Sequence, residues 1–401
     1  MPNAVIVSTA RTPIGRARKG SLIDCRPDDL GVTAVRGALN KVPQLTPESI
    51  DDIIVGCAQP SGEHGHNLAR VIAVLLGLEN VPGVTVNRFC SSSLQGIRMA
   101  AHAVQAGEGD AFVCAGVEAV SRYSFGSGDG RASHNPLFAG AEERSVQRTD
   151  GAESWEPAPE LPDIYIAMGQ TAENVRLREN VSRRDMDEFA ALSQNRAVQS
   201  QQDGTFEREI VPVSTPSGQL VTKDDGPRPG TTAEVLATLK PAFRPDGEVT
   251  AGNSCPLNDG AAAVIVMSEG RAAELGITPL ARIISSGVSA LNPEIMGLGP
   301  VDACRQALKR AGMTIDDIDL VEINEAFAAQ VVPSARHLGI SWDKLNVHGG
   351  AIALGHPFGM TGSRIMTTLL NALQSHDKTI GLESMCVGGG QGMAMVIERL
   401  S

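Results

Sequence analysis

Four short segments of the sequence combine a reactive or polar side chain with small residues, and the first centres on Cys90. The apolar run Val84–Val86 leads into Cys90 and three serines, and an Ala-rich helical pattern follows. This order predicts that Cys90 lies at a strand-to-helix turn, where unpaired N–H groups and the positive end of the helix dipole favour a thiolate and lower its pKa. Taken alone, the alternative is a buried structural cysteine.

The second segment carries a histidine in a glycine-rich stretch, 348–359. Its glycines allow close approach of the backbone to a ligand, and Pro357 biases His356 away from a helical conformation. A histidine on such a loop can act as the base for a nearby thiol. Without a partner, His356 would be an ordinary loop histidine.

The other two segments follow apolar runs of the second half. Cys386 begins Cys-Val-Gly-Gly-Gly-Gln-Gly, whose backbone N–H groups can meet an oxyanion. Asn324 stands at a predicted strand end, where it can donate to, or hold water against, a polarised carbonyl. The alternatives are a structural cysteine and a helix N-cap. Two cysteines and a histidine that converge would suit nucleophilic acyl chemistry with carbanion formation.

Composition limits the class of protein that carries these residues. The chain has 401 residues, with 42% hydrophobic, 20% charged and only 3% aromatic, and 43 glycines. Such values are ordinary for a globular enzyme whose core is filled by Ala, Val, Ile and Leu. The net charge of −12 argues against a nucleic-acid partner, because proteins that neutralise phosphates are usually basic.

Cysteine spacing and the chain termini indicate a compartment. The 7 cysteines include no CxxC pair, and the 8 histidines show no HExxH spacing, so neither a disulfide framework nor a metal site is predicted. No secretory signal, membrane-spanning run or peroxisomal tail is recognisable. The sequence therefore predicts a reduced, cytoplasmic protein that binds neither membrane nor metal.

Short β-branched runs alternate with amphipathic helical patterns along the chain, which predicts an α/β protein with a mostly parallel sheet covered on both faces. All four segments follow predicted strands, and ligands gather at the carboxyl ends of strands in such sheets. The alternation therefore predicts that the four segments meet.

The second half of the chain repeats the first. Ala38-Leu39, Thr46 and Ile50-Asp51 are echoed by Ala307-Leu308, Thr314 and Ile318-Asp319 at a nearly constant offset of 268 or 269 residues. This predicts a duplicated α/β unit. We expect an N-terminal half at 1–120 and 249–275, an inserted domain at 121–248, and a C-terminal half at 276–401.

With these motifs in view, the sequence resembles the thiolase family, the acetyl-CoA C-acyltransferases, over essentially its whole length. The resemblance is carried by NRFCSSS around Cys90, NEAF at Asn324, GGAIALGHP before His356 and CVGGGQG at Cys386. It implies two duplicated βαβαβαββ halves forming a five-layer αβαβα core, with a loop domain inserted in the first half that binds CoA.

The resemblance also implies catalytic roles. Cys90 matches the nucleophile that an acyl-CoA acylates, and His356 would take its proton. Asn324 would hold a water that helps to stabilise the thioester oxyanion, and Cys386 would exchange a proton with the α-carbon. The backbone N–H groups of Cys90 and Gly388 would form a second oxyanion hole.

Further positions match substrate-binding parts of the family pattern. The resemblance implies that Arg228 contacts the nucleotide part of CoA, that Met296 and Phe327 belong to the acyl pocket, and that His348 is a pocket or support residue. Cys255 stands where short-chain biosynthetic relatives have a CoA-contacting serine.

Departures from the short-chain pattern favour one branch of the family. Ala167 replaces a histidine, which leaves space for a longer acyl chain, so we expect a degradative 3-ketoacyl-CoA thiolase. The alternatives are an acetoacetyl-CoA thiolase and, more remotely, a ketosynthase or a non-catalytic CoA-binding protein. The family implies CoA and acyl-CoA as substrates, no permanently bound cofactor or metal, and a homodimer or homotetramer.

Overall fold

The computed structural model describes residues 2–122, 134–148 and 154–401. In the first part of the chain, short strands rich in Val and Ile alternate with helices that bury Ala and Leu on one face. The elements are β1 (Ala4–Arg11), β2 (Gly15–Arg16), α1 (Pro27–Asn40), β3 (Asp52–Gly56), α2 (Leu68–Leu75), β4 (Gly83–Val86), α3 (Ser92–Ala106) and β5 (Ala111–Ala119).

The chain then leaves this alternating pattern for a mainly helical segment and returns on a long strand. The longest helix of the segment begins with a capping box, in which Ser182 and Asp185 satisfy each other's backbone N–H groups. The elements are α4 (Ala139–Gln147), α5 (Met168–Arg178), α6 (Arg183–Gln202), β6 (Val213–Ser214), β7 (Leu220–Val221), α7 (Ala233–Ala237), β8 (Asn258–Ser268) and α8 (Glu269–Glu274). The predicted domain boundaries stay a prediction.

The last third of the chain alternates strands and helices again. Its elements are β9 (Ala281–Ala290), α9 (Gly299–Ala311), β10 (Leu320–Ile323), α10 (Ala328–Leu338), α11 (Ala351–Leu354), α12 (Thr361–Ser375), β11 (Ile380–Val387) and β12 (Gln391–Arg399). Among the residues that the structure describes, no helix has the length and apolar character needed to cross a membrane.

The strand order repeats about the centre of the sheet. The strands are ordered β10-β11-β12-β9-β1-β8-β5-β3-β4, so that β9-β12-β11-β10 retraces β1-β8-β5-β3 from the junction of β1 with β9. The helices repeat as well, since α3 before β5 corresponds to α12 before β11. The predicted duplication is therefore visible in the fold.

The sheet is mixed, so the prediction of a mostly parallel sheet is wrong. In the described residues β3 pairs in parallel with β4 and β5, and β10 with β11, whereas the remaining pairs are antiparallel. The reason is that β8 enters after the inserted segment and β12 after a tight hairpin. Neither strand is reached by a helical crossover, which is the connection that makes a strand parallel.

Three apolar clusters give the order of the layers. One cluster joins α1 and α2 to the first half of the sheet, and another joins α9 and α10 to the second half. The third contains Leu94 and Ile97 of α3, Leu369 of α12, and Val264 and Met395 from both halves of the sheet. Helices α3 and α12 therefore form the middle of five layers, as the resemblance implies.

The two middle helices approach each other closely at their N-terminal ends. A Cβ atom at Gly362 would lie 2.4 Å from the backbone nitrogen of Leu94, so only glycine fits there. The Ser93 hydroxyl accepts a hydrogen bond from the Ser363 backbone N–H at 2.9 Å. The loops that precede α3 and α12 are thereby brought side by side.

Candidate active site

Cys90 lies in a single helical turn, Phe89–Ser91, directly before α3. Phe89 has a φ of 44°, a left-handed conformation that is strained for an aromatic residue. Its N–H donates to Asn87 Oδ1 at 2.8 Å, and its carbonyl accepts from the Ser92 hydroxyl at 2.7 Å. These bonds hold the turn and leave Cys90 only 9% exposed. Strain of this kind is concentrated at functional sites.

The Cys90 thiol is less acidic than the sequence predicts. Burial raises its pKa to about 11, and hydrogen bonds from the N–H groups of Gly388 and of Cys90 itself only partly oppose that effect. The expectation of a lowered pKa is therefore wrong for the free protein, because loss of hydration outweighs the helix N-terminus. Cys90 needs a base to become a nucleophile.

His356 is suited to be that base. Its Nδ1 lies 2.6 Å from Thr361 Oγ1, and the Thr361 hydroxyl donates to the Pro357 carbonyl at 2.9 Å. Because that proton is committed, Nδ1 must carry the hydrogen, and Nε2 is the unprotonated nitrogen that can accept. Burial, followed by the charge of Arg364, lowers the pKa of His356 to about 3. The imidazole is thus neutral at physiological pH.

Asn324 orients the other nitrogen of that ring. Asn324 Nδ2 lies 3.3 Å from His356 Nε2, and its backbone N–H donates to the Ser384 carbonyl at 2.9 Å. Asn324 Oδ1 is buried and has no hydrogen-bond partner among the described residues. Helix α10 begins at Ala328 after the cap residue Phe327, so Asn324 is not an N-cap. Its side chain is available for a water or a substrate.

Cys386 completes the group from within β11, opposite Gly392. Its thiol is fully buried, and its pKa is raised well above the ordinary value, first by burial and then by the neighbouring thiols Cys90 and Cys255. The hairpin after it turns through Gly390, which has a φ of 77° and lies where a Cβ would be 2.2 Å from the Leu291 carbonyl. The hairpin places the Gly388 N–H against the Cys90 sulfur.

A buried carboxylate joins the loops of the two halves. Glu118, at the end of β5, accepts hydrogen bonds from the N–H groups of Ala58 at 2.8 Å, Gln59 at 3.1 Å and Gly359 at 2.9 Å. Burial raises its pKa to about 7. Because Gly359 follows the histidine loop, Glu118 anchors that loop to the first half of the molecule.

The predicted acyl-pocket residues lie beside this group. Met296, Phe327 and Cys386 belong to one buried apolar cluster, and the partly buried Cys255 packs against it. The Phe327 ring contacts the Phe243 ring edge-on, with centroids 5.9 Å apart. Burial raises the pKa of Cys255 above its usual range, which makes this thiol an apolar wall residue.

Arg228 lies on an exposed loop that is tied to the histidine segment. Its backbone N–H donates to Gln194 Oε1 at 2.9 Å, and Gln194 Nε2 donates to the Ile352 carbonyl at 3.4 Å. Helix α11, which contains Ile352, ends two residues before His356. The backbone of this loop is therefore tied to the helix before His356, and the role of the exposed Arg228 side chain stays a prediction.

The structure does not bring His348 to the other site residues. Its Nδ1 lies 2.9 Å from Ser200 Oγ, and its Nε2 lies 3.4 Å from Ser375 Oγ at the C-terminal end of α12. His356 contacts Thr361 at the N-terminal end of the same helix, about 21 Å away at 1.5 Å per residue. His348 supports the packing of α12, and we do not retain it as a CoA-binding residue.

Sequence reasoning missed three residues that hold the site together. Besides Thr361 and Glu118, Asn258 at the start of β8 accepts a hydrogen bond from the His356 N–H at 3.0 Å and donates to the Gly15 carbonyl at 3.0 Å. Only Thr361 offered a local signal, as a hydroxyl five residues after His356. In the described part of the chain, no group of three or more His, Cys, Asp and Glu side chains could hold a metal ion.

Comparison with known proteins agrees with this geometry. The family model for the thiolase N-terminal domain matches residues 4–270, and that for the thiolase C-terminal domain matches residues 277–399. The 3-ketoacyl-CoA thiolase of Bacillus subtilis is 44% identical over 99% of this chain and 100% of its own length. The beta-ketoadipyl-CoA thiolase of Acinetobacter baylyi is 42% identical over 100% of both chains. The chain belongs to the thiolase family.

Solved structures show the same fold. The acetyl-CoA acetyltransferase of Bacillus anthracis superimposes with a TM-score of 0.87 at 37% identity, and the human mitochondrial 3-ketoacyl-CoA thiolase with a TM-score of 0.86 at 36% identity. Each comparison covers 100% of this chain and 99% of the other. The thiolase fold that the sequence predicts is confirmed.

Proposed function

We propose that this protein is a degradative 3-ketoacyl-CoA thiolase, an acyltransferase that uses CoA to cleave a 3-ketoacyl-CoA into acetyl-CoA and a shortened acyl-CoA. The observation that carries the proposal is a pair of neighbouring thiols, Cys90 and Cys386, together with a neutral imidazole held by an amide on the loop before α12, the helix that α3 contacts. The full-length similarity to proteins named 3-ketoacyl-CoA thiolase supports the same activity.

The proposed reaction begins with a proton transfer. His356 Nε2 takes the proton of Cys90, and the thiolate attacks the 3-keto carbon of the substrate. The bond between carbons 2 and 3 then breaks, which leaves the acyl group on the Cys90 sulfur and the electron pair on the enolate of acetyl-CoA. Cys386 donates a proton to carbon 2, and acetyl-CoA leaves. The thiol of CoA, deprotonated by the Cys386 thiolate, attacks the acyl-Cys90 thioester and releases the shortened acyl-CoA. The Cys90 thiolate that leaves takes back its proton from His356.

The raised pKa values suit these roles. A thiol that must donate a proton has to be protonated at neutral pH, and burial ensures this for Cys386. The enolate oxygen carries the developing negative charge, and fixed N–H donors stabilise such charge without reorganisation. We assign the enolate oxygen of the acetyl-CoA thioester to His356 and a water on Asn324 Oδ1, while the N–H groups of Cys90 and Gly388, which face the Cys90 sulfur, would meet the oxyanion of the acyl-transfer step.

Substrate binding follows from the same arrangement. Arg228 would meet the phosphates of CoA, and Met296, Phe327 and Cys255 would line the acyl pocket. CoA and acyl-CoA act as substrates, and the mechanism assigns no step to a metal or a resident cofactor. The cytoplasmic location and the homodimeric or homotetrameric state stay predictions of the sequence.

A second candidate is acetyl-CoA acetyltransferase, which condenses two acetyl-CoA molecules at the same groups. The superposition on the Bacillus anthracis enzyme of that name favours it. Against it, Ala167 at the start of α5 is small, and Cys255 offers no hydroxyl for CoA. We therefore place cleavage of longer 3-ketoacyl-CoA first.

Thiolysis of a chain-length series tests the proposal. The loss of 3-ketoacyl-CoA enolate absorbance is followed after addition of CoA, with substrates of 4, 8 and 12 carbons and Cys90→Ser as the inactive control. We expect a higher kcat/KM for the longer substrates. A strong preference for the four-carbon substrate would select the acetyltransferase, and no turnover of any substrate by folded protein would refute both activities.

A further inference from the structure

A cavity away from Cys90 is lined by three basic side chains. It measures about 340 Å³ and lies between α3, β9 and α9, with Arg98, His102 and Arg310 in its lining. Two of the three are fixed by one serine, because Arg98 Nε donates to Ser286 Oγ at 3.1 Å and Arg310 Nη1 donates to the Ser286 carbonyl at 2.6 Å. Both guanidinium groups therefore face the same small volume.

This positive charge has no counter-charge within the described chain. No described carboxylate forms an ion pair with Arg98, His102 or Arg310, and the cavity lining contains no Asp or Glu. Burial, followed by the charges of Arg98 and Arg310, lowers the pKa of His102. Two guanidinium groups without a described ionic partner, beside an imidazole whose pKa is lowered, stand out in a chain whose net charge is −12.

The duplicated fold provides an independent view of the same place. In the first half, Ser8 Oγ donates to the Ala38 carbonyl at 2.7 Å, and in the second half Ser285 Oγ donates to the Ala307 carbonyl at 2.7 Å. The residue that follows each of these serines accepts a hydrogen bond from a cationic side chain. Lys41 donates to the Thr9 carbonyl at 2.7 Å in the first half, and Arg310 donates to the Ser286 carbonyl in the second. The first half has a cavity of about 410 Å³ lined in part by Ser8, Thr9 and Lys41, and it is the equivalent of the second-half cavity in the repeat.

A buried carboxylate lies beside the first-half cavity and contacts its lining residue Asn371. Glu209, from the inserted segment, is 1% exposed and accepts hydrogen bonds from Arg11 Nε at 2.6 Å, Thr368 Oγ1 at 3.3 Å and Asn371 Nδ2 at 3.4 Å. Its charge also acts on Lys41. Asn371 on α12 corresponds to His102 on α3. The point in the second half that corresponds to the Glu209 carboxylate is therefore the volume between Arg98, His102 and Arg310.

We propose that the cavity formed by Arg98, His102 and Arg310 binds an oxyanion, a phosphate or carboxylate group, at the position that Glu209 fills in the other half. Guanidinium groups bind such planar or tetrahedral oxyanions with paired, charge-assisted hydrogen bonds. The anion can be free in solution or can be a carboxylate of a second copy of this chain, and the experiment separates these sources.

Inorganic phosphate is the probe for a free anion. The melting temperature of the full-length protein is measured in chloride and in phosphate at equal ionic strength, for wild type, the double variant Arg98→Gln/Arg310→Gln, and Arg305→Gln. Arg305 is the matched control because it lies on α9, the helix of Arg310, and pairs with Asp302. We expect phosphate to raise the melting temperature of wild type and Arg305→Gln by about 2 °C or more, and that of the double variant by none.

Sedimentation equilibrium of the same proteins tests for a carboxylate from a second copy. In that case phosphate has no effect on wild type, and the double variant self-associates at least tenfold more weakly than wild type and Arg305→Gln. Arg98→Lys/Arg310→Lys keeps the charge and should restore either behaviour, which excludes a folding defect. Phosphate stabilisation that persists in the double variant, or unchanged melting together with unchanged association, would overturn the proposal.

Discussion

The two halves of this molecule share one fold but supply different chemistry to the site. Helices α3 and α12 are equivalent in the repeat and lie side by side, and each begins directly after a reactive loop. The loop before α3 carries Cys90, whereas the loop before α12 carries His356. The repeat therefore places two equivalent loops at adjacent helix N-termini, and they differ in carrying a thiol in one half and an imidazole in the other.

The halves also differ in how their equivalent buried positions are filled. The inserted segment delivers Glu209 to the first half, and no segment of the described chain does the same for the second. Residues that only stabilise the sheet are more alike in the two halves. Asp51 and Asp319 each accept hydrogen bonds from two consecutive backbone N–H groups at equivalent positions of the repeat. Residues that hold the fold have thus changed less than residues that face ligands.

The largest expected effect separates the two catalytic thiols. Cys90→Ser should lower thiolysis by about 10⁴-fold or more and abolish acylation, because the nucleophile is lost. Cys386→Ser should block turnover to a similar extent yet still form the Cys90 thioester. Intact-protein mass spectrometry after incubation with acetyl-CoA measures the difference. Equal acylation of wild type and Cys90→Ser would contradict the division of roles.

The pH dependence of alkylation tests the same pair. Since the pKa of Cys90 is raised to about 11, its thiolate fraction grows about tenfold per pH unit below that value. Iodoacetamide labelling of Cys90 should therefore be about 100-fold faster at pH 9 than at pH 7, with Cys386 labelled more slowly at both. Peptide mass spectrometry gives the two rates, and a pH-independent Cys90 rate would show that burial does not control this thiol.

Loss of the ring partner of His356 should have a smaller effect. Thr361→Val removes the acceptor for Nδ1–H and frees the imidazole to rotate, so we expect kcat to fall about 10- to 100-fold with little change in KM. Thr367→Val is the control, because its hydroxyl bonds only the Ser363 carbonyl of the same helix. Equal activity of the two variants would mean that Thr361 does not set the tautomer.

The free energy of unfolding should depend on Glu209, the buried carboxylate of the inserted segment. Glu209→Gln leaves the fully buried Arg11 with Asp224 as its one remaining ionic partner, and we expect a loss of about 3 kcal/mol in the free energy of unfolding by urea. Glu188→Gln, which breaks an exposed pair with Arg184, should cost less than about 1 kcal/mol. Similar costs would indicate that Glu209 is not needed to close the first half.

The smallest effect should be equal in the two halves. Asp51→Ala and Asp319→Ala each remove a carboxylate oxygen that accepts two backbone N–H groups at 2.7 to 2.9 Å, and each should cost about 1 kcal/mol. Urea unfolding of both variants measures the match. Costs that differ by more than about 1 kcal/mol would break the equivalence of these positions.

Local patterns in the sequence predicted the reactive groups well. Cys90, Asn324, His356 and Cys386 stand in short motifs after predicted strands, and the near-constant offset at Asp51 and Asp319 revealed the repeat. Each of these signals lies within a few residues or in a direct comparison of two stretches. The structure places Cys386 beside Cys90 and Asn324 beside His356, and a single site that unites the two pairs stays a prediction.

Properties that depend on distant residues could not be predicted in this way. Asn258 supports His356 across 98 residues of sequence, and Glu118 holds Gly359 across 241. The direction of the Cys90 pKa shift depends on how completely the fold excludes water, which a motif does not encode. The sense of β8 and β12 likewise depends on where the chain returns to the sheet.

The position of β12 sets the order in which this protein is completed during synthesis. It follows every other described strand in the sequence, yet it lies inside the sheet and pairs with both β11 and β9. A ribosome-bound chain that still lacks residues 391–399 leaves those two strands with unpaired edges, which are sites of aggregation. The second half of the enzyme therefore stays open, with two unpaired strand edges, until residues 391–399 are inserted between β11 and β9.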